Sequence, residues 1–143
     1  MKRFLFPALA ALTLTLGSCD EKVDCCVQPP REPVTATTLT RASTWYLSEY
    51  VAAGQITRAD AIKDRFALRF VADGSYRRIL LSDDSETAGT WKLAGSDNRQ
   101  LNLIDHKGDL QNYTVESVSQ ESLFLIRPDK TGQTETYFFK TVR

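Results

Sequence analysis

From residue 43 onward, apolar and polar residues alternate along short segments that are rich in aromatic and β-branched side chains. This period of two is typical of β-strands that bury one face. Clusters of Gly, Asp, Asn and Ser separate the segments and supply the backbone conformations that tight turns require. The pattern predicts eight strands, over residues 44–51, 65–71, 75–81, 87–93, 100–104, 111–118, 122–127 and 134–142.

Residues 53–63 depart from this alternation. Thr57 and Asp60 have the spacing of a capping box, which predicts a short helix over residues 58–63, after the first strand. The other connections are short, so neighbouring strands should pair antiparallel, in an up-and-down barrel or in a sandwich. A barrel is favoured because closure removes sheet edges. The sequence therefore predicts an all-β domain over residues 41–143, an eight-stranded antiparallel up-and-down barrel.

The segment before this domain has a different composition. Residues 20–40 contain Pro29, Pro30 and Pro33 together with several charges, and they show no alternation that would bury a face. Proline-rich segments behave as semi-extended spacers, so we interpret residues 19–40 as a flexible linker. Cys25 and Cys26 lie within it as free thiols, in an intermolecular disulfide, or bonded to another envelope protein, and we assign them no catalytic role.

The first residues have the layout of a secretory signal. Lys2 and Arg3 precede an apolar run over residues 4–16, which is shorter than the roughly 20 residues that a transmembrane helix needs. Small residues follow at Gly17 and Ser18, directly before Cys19. Residues 1–18 are therefore predicted to be a signal peptide that is removed.

Leu16-Gly17-Ser18-Cys19 resembles the lipobox of bacterial lipoproteins. The resemblance implies that the Cys19 thiol receives a diacylglycerol and that the new α-amine is acylated with a fatty acid such as palmitate. Several acyl chains make membrane attachment durable, whereas one chain holds only marginally. The acidic residues Asp20 and Glu21 resemble both an inner-membrane retention signal and a surface-export signal, and we favour the outer membrane. The leaflet that the protein faces stays open.

Charge and residue content limit the chemistry. The 143 residues carry 18 basic and 18 acidic side chains, and removal of residues 1–18 would leave a net charge of −2, so we expect no nucleic-acid partner. The single histidine, His106, lies in a predicted turn, and no catalytic triad, phosphate-binding glycine loop or paired metal ligands are evident. We therefore expect no enzymatic activity, no cofactor and no metal site.

Three short motifs carry a family resemblance: Ser43-Thr44-Trp45, the hairpin Phe70-Val71-Ala72-Asp73-Gly74-Ser75-Tyr76, and Gly89-Thr90-Trp91-Lys92-Leu93. In this order, residues 43–143 resemble the small lipocalin-like domains of bacterial envelope lipoproteins. The resemblance implies an eight-stranded barrel, without a known enzymatic activity for most members.

Strand parity indicates which side chains face the interior. Phe70 shares a face with other apolar residues, and if Ala72-Asp73-Gly74 forms the loop, Phe70 pairs with Tyr76 and Arg78 points inward. A two-residue loop would instead turn Arg77 inward, but the aromatic pair favours the first register. A buried arginine needs a partner or access to solvent, which makes Arg78 a candidate for binding an acidic ligand. The candidate ligand-binding residues are Phe70, Tyr76, Arg78, Trp91 and Tyr113.

Two functional hypotheses follow from this reading. The first is a membrane-anchored module that binds a small apolar or amphipathic molecule inside the barrel. The alternative is a structural or interaction lipoprotein, whose solid barrel docks onto an envelope protein partner without a ligand. Eight strands enclose only enough space for side chains or one small ligand, so the volume of the interior separates the two hypotheses.

Overall fold

The computed structural model describes residues 33–143 of the chain. This part contains one short α-helix, nine strands and one turn of 3-10 helix. In chain order they are α1 (Ala36–Thr40), β1 (Trp45–Ala52), β2 (Gln55–Arg58), the 3-10 turn (Ala59–Ala61), β3 (Phe66–Phe70), β4 (Ser75–Leu80), β5 (Glu86–Ala94), β6 (Gln100–Asp105), β7 (Leu110–Val118), β8 (Ser122–Pro128) and β9 (Thr134–Lys140).

Eight of these strands close into a barrel. Strand β1 pairs with β3, each strand from β3 to β8 pairs with the next along the chain, and β9 returns to pair with β1. All pairings are antiparallel, which confirms the predicted up-and-down barrel. Closure gives each of the eight strands a paired neighbour on both sides, so none of them is a free edge strand.

Strand β2 lies outside the closed ring, and the sequence analysis did not anticipate it. It forms a hairpin with the second half of β1, from Glu49↔Arg58 to Ala52↔Gln55. The predicted helix over residues 58–63 is present only as the 3-10 turn, because β2 takes the chain in extended form as far as Arg58. No side chain caps this turn, so the capping role expected of Thr57 and Asp60 is wrong.

The barrel core also takes in residues that we assigned to the linker. Val34 and Leu39 are buried, and the backbone N–H of Val34 donates to the carbonyl of Asp97 at 3.2 Å. The indole Nε1 of Trp45 donates to the carbonyl of Leu39 at 2.9 Å, which joins α1 to the first strand. The predicted boundary at residue 40 is therefore too late. The sequence did not indicate this, because only two residues of the Thr-rich segment 33–40 pack inside.

The two ends of the barrel differ. The end that carries α1 and the loops 71–74, 95–99 and 119–121, here called the closed end, is filled by Trp45, Leu39 and their neighbours. The opposite end carries the segment 53–65 and the loops 81–85, 106–109 and 129–133, and it is here called the open end.

The register between β3 and β4 follows the preferred prediction. Phe70 pairs with Tyr76 and Leu68 pairs with Arg78, so Ala72-Asp73-Gly74 is the loop and Arg78 shares the inward face of β4. Gly74 has a φ of +87°, a conformation that glycine adopts at no steric cost. Similarly, Leu101 pairs with Tyr113 across β6 and β7, as predicted.

Candidate functional site

A cavity of about 300 Å³ lies at the open end of the barrel. Its apolar wall is formed by Leu47 of β1, Phe66 of β3 and Ile62, all of which are buried. Ile62 belongs to the segment between β2 and β3, which bends over this end of the barrel. Three tyrosines, two arginines, Gln111, Lys63 and Asp64 complete the lining, so the cavity combines an apolar wall with polar groups near its mouth.

A carboxylate inside the barrel organises one side of this cavity. Glu135 faces inward from β9 and accepts a hydrogen bond from Tyr50 Oη at 2.6 Å on one oxygen. Its other oxygen accepts from Tyr137 Oη at 2.7 Å and from Arg127 Nε at 2.7 Å. Arg127 also donates to Tyr113 Oη at 3.2 Å, which brings β1, β7, β8 and β9 into one network.

This network sets the protonation states of its members. Burial alone would raise the pKa of Glu135, but the hydrogen bonds from Tyr50, Tyr137 and Arg127 together hold that pKa below its usual value. Burial and the hydrogen bond to Glu135 raise the pKa of Tyr137, and burial raises the pKa of Tyr113. Near neutral pH, Glu135 is therefore an anion and the tyrosines are neutral donors.

The Arg127 guanidinium is held from several sides. Its Cζ lies 5.3 Å from the ring centroid of Tyr113 and 5.2 Å from that of Tyr137, within the range of cation–π attraction.

Backbone pairing of β7 with β8 starts only at Thr114↔Ile126, so the two strands are not paired beside Arg127. A depression of about 580 Å³ lies on this side of the barrel and shares Gln111 and Arg127 with the mouth cavity.

Arg78 is the second inward arginine, and its surroundings differ from those of Arg127. Its Cζ lies 4.3 Å from the ring centroid of Phe66, so one face of the guanidinium is covered. The side chain reaches solvent at the mouth, and within residues 33–143 it makes no hydrogen bond or ion pair. The cavity wall therefore presents a guanidinium that no carboxylate of residues 33–143 neutralises.

Of the five predicted ligand-binding residues, Arg78 and Tyr113 line this cavity. Phe70, Tyr76 and Trp91 are buried in the core toward the closed end, where the ring centroids of Phe70 and Trp91 lie 5.6 Å apart. Trp91 Nε1 donates to the carbonyl of Val71 at 3.0 Å. These three residues fill the barrel between the closed end and the cavity.

Sequence reasoning missed the Glu135 network. Glu135 and Arg127 are paired across β8 and β9, and each lies two residues along its strand from a buried residue, on the same inward face. Charged residues at inward positions of two adjacent strands were the available indication. Strand parity of the apolar residues and of Arg78 alone does not indicate the ion pair of Arg127 with Glu135.

Several predictions fall on residues outside the described part of the chain. They are the signal peptide over residues 1–18, lipidation of Cys19, and the roles left open for Cys25 and Cys26. Between residues 33 and 143, no helix is long and apolar enough to cross a bilayer. In the same range, no group of three or more His, Cys, Asp or Glu residues is placed to hold a metal ion.

Comparison with known proteins supports the fold. No family model matches the sequence, and no curated protein matches it. Among solved structures, the chain is similar to a lipocalin-like protein from Bacteroides uniformis ATCC 8492, with 22% sequence identity and a TM-score of 0.53. The match covers 72% of this chain and 97% of that protein. The fold is therefore lipocalin-like, an antiparallel barrel of eight strands.

Proposed function

We propose that this protein is a membrane-anchored envelope lipoprotein whose lipocalin-like barrel binds a small amphipathic molecule at its open end. The observation that carries the binding role is the cavity of about 300 Å³, which has an apolar wall and the guanidinium of Arg78, a group with no ion-pair partner among residues 33–143. Its volume is at the lower end of the roughly 300–1,000 Å³ that is usual for small-molecule sites. The ligand is therefore small.

The placement in the envelope rests on the sequence. The cationic start, the short apolar run and Leu16-Gly17-Ser18-Cys19 support export and lipidation of Cys19, and the acidic residues that follow support the outer membrane. Replacing Cys19 with Ala tests this part of the proposal. Wild-type protein should fractionate with membranes and carry acyl chains by mass spectrometry, whereas the variant should carry none. Equal masses for the two N-terminal peptides, apart from the substitution, would contradict lipidation.

Native mass spectrometry tests the binding role. A chain that begins at residue 20 lacks the signal peptide and Cys19 but contains the barrel and its core residues. We expect this protein, purified under mild conditions, to retain or take up small molecules with a stoichiometry of one. Ile62→Trp should fill the cavity and remove the adduct, while Ile56→Trp, on the exposed face of β2, should not.

A specific observation also favours the second candidate function, docking onto an envelope protein. The outward-facing rings of Phe124 and Phe138 lie 4.8 Å apart on β8 and β9, and both side chains are half-buried. Aromatic side chains on a surface are enriched at protein interfaces. If no small molecule binds, or if Ile62→Trp does not remove the adduct, this outer face becomes the better candidate for the functional surface.

A further inference from the structure

We infer that the ligand of the open-end cavity is a monocarboxylate with a short apolar body, whose carboxylate binds Arg78. This inference rests on the proposed binding function and narrows it to one ligand class. The two inward arginines, Arg78 and Arg127, differ in the protein groups that bind them.

Arg127 is already committed to protein partners. Its Nε donates to Glu135 at 2.7 Å, and its remaining contacts are with Tyr113 and Tyr137. Glu135 in turn accepts hydrogen bonds on both oxygens. A ligand anion that approached Arg127 would have to compete with Glu135, so this pair forms a closed unit within the cavity wall.

Arg78 has no such partner among residues 33–143. Its Cζ lies 4.3 Å from the ring centroid of Phe66, and none of its N–H donors is used by an acceptor within this range of residues. A planar guanidinium binds a carboxylate best through two parallel N–H···O bonds in its own plane. Asp64 lies on the same cavity wall but forms no ion pair with Arg78. The geometry thus keeps a bidentate carboxylate site available.

The charges that line the cavity favour an anion. Lys63, Arg78, Arg127 and Asp64 line the cavity, and Glu135 pairs with Arg127, so one positive charge is in excess around the cavity. Only one of these cations, Arg78, lies directly on an apolar ring of the wall. A single negative charge on the ligand matches this balance, whereas a dianion would leave a charge uncompensated in a partly apolar site.

The apolar wall of the cavity indicates the polarity and size of the rest of the ligand. Phe66, Leu47 and Ile62 are buried and form a surface beside the guanidinium, and Tyr137 adds an aromatic ring 6.4 Å from that of Phe66. A carboxylate held on Arg78 would place an attached aliphatic or aromatic group against these side chains. The cavity of about 300 Å³ limits that group to a short chain or a single ring system.

The test uses 4-phenylbutyrate and its neutral amide, which have the same shape and differ in charge. The chain from residue 20 is labelled with ¹⁵N, and the probes are titrated while backbone amides and arginine Nε–H resonances are followed. We expect the acid to shift Arg78 Nε–H and the Phe66 amide, and to bind at least about tenfold more tightly than the amide, as loss of a charge-assisted hydrogen bond implies.

Three variants at two adjacent residues separate the effect of charge from the effect of structure. Arg78→Gln should abolish the preference for the acid, and Arg78→Lys should keep part of it because the charge remains. Arg77→Gln is the matched control, because Arg77 lies on the outer face and pairs only with the exposed Glu86. The preference of the Arg77→Gln variant for the acid over the amide should equal that of the wild type. The spectra also report whether each variant is folded.

The outcomes distinguish this inference from the proposed function. Equal binding of acid and amide, or a preference that survives Arg78→Gln, would show that the cavity binds small molecules without selecting a carboxylate. If neither probe shifts the resonances of cavity residues at about 5 mM, a concentration that detects even millimolar affinity, both the inference and the binding function are wrong.

Discussion

The ring of Tyr76 lies directly on the Cα of Gly89, its cross-strand partner on β5. A Cβ at position 89 would lie 2.5 Å from Tyr76 Cε1 and would also overlap the carbonyl oxygen of Ile104. Gly89 therefore provides the space in which an inward tyrosine packs flat against the sheet. This contact explains why Tyr76 fills the core instead of lining the open-end cavity.

The first prediction concerns this contact. Gly89→Ala should destabilise the protein by about 1–3 kcal/mol, because the added methyl group overpacks a region bounded by a ring and by backbone. Urea unfolding followed by tryptophan fluorescence measures the change. Thr90→Ala, at the next and exposed position of β5, is the control and should change the stability by less than about 0.5 kcal/mol. Equal effects of the two substitutions would contradict the packing role of Gly89.

The second prediction tests the N-terminal boundary of the domain. Leu39 is completely buried, and its carbonyl accepts a hydrogen bond from the indole of Trp45. Leu39→Ala should therefore cost about 2–5 kcal/mol in the free energy of unfolding. Thr37→Ala, which alters an exposed residue of the same helix, should have a much smaller effect. If both variants unfold at the wild-type urea concentration, residues 33–40 do not belong to the cooperative unit.

The third prediction compares two ion pairs of different exposure. Glu135 shows 15% side-chain exposure in its pair with Arg127, whereas Glu86 shows 36% in its pair with Arg77. Removing the charge with Glu135→Gln should cost about 1–3 kcal/mol, because Arg127 loses its anionic partner and an amide NH₂ donor replaces one of the two acceptor oxygens. Glu86→Gln should cost no more than about 1 kcal/mol, since solvent screens an exposed pair. Thermal unfolding at neutral pH gives both values.

The fourth prediction is a pH dependence that follows from the lowered pKa of Glu135. A carboxyl group with a lower pKa in the folded than in the unfolded protein contributes stability above its unfolded value, here 4.5, and loses it as the pH falls through the folded value. Wild-type stability should therefore decline as the pH is lowered below about 4.5. The decline should be shallower in Glu135→Gln. Parallel stability curves for the two proteins across this range would contradict the prediction.

Local sequence patterns were sufficient to predict most of the barrel. Alternation located the eight strands of the closed ring, and the turn residues around Gly74 gave the correct pairing of Phe70 with Tyr76. These features depend on residues that are close together in the chain, since strand parity and a three-residue loop together allow only one register between β3 and β4. β2 was missed because its sequence, Gln55–Arg58, buries no face. It is held on β1 by backbone pairing and by the ion pair of Arg58 with Glu49.

The cavity depends on contacts between distant residues, and for that reason the sequence predicted only part of it. Tyr50 and Glu135 are 85 positions apart and meet only because β9 closes the barrel onto β1. Arg78 was predicted to face inward, but strand parity does not tell whether an inward residue packs in the core or reaches the mouth. That distinction depends on its height along the barrel axis.

The sequence by itself determined the eight strands of the closed ring, their order, the inward position of Arg78 and the motifs on which the envelope assignment rests. The tertiary structure decided which inward residues fill the closed end and which surround the open-end cavity. The physical reason is that period-two alternation is a local property of each strand, whereas burial, ion pairing and cavity volume arise from strands that closure brings together. The proposed ligand class rests on the guanidinium of Arg78 beside Phe66, which has no ion-pair partner in the described part of the chain, and this feature belongs to the second group.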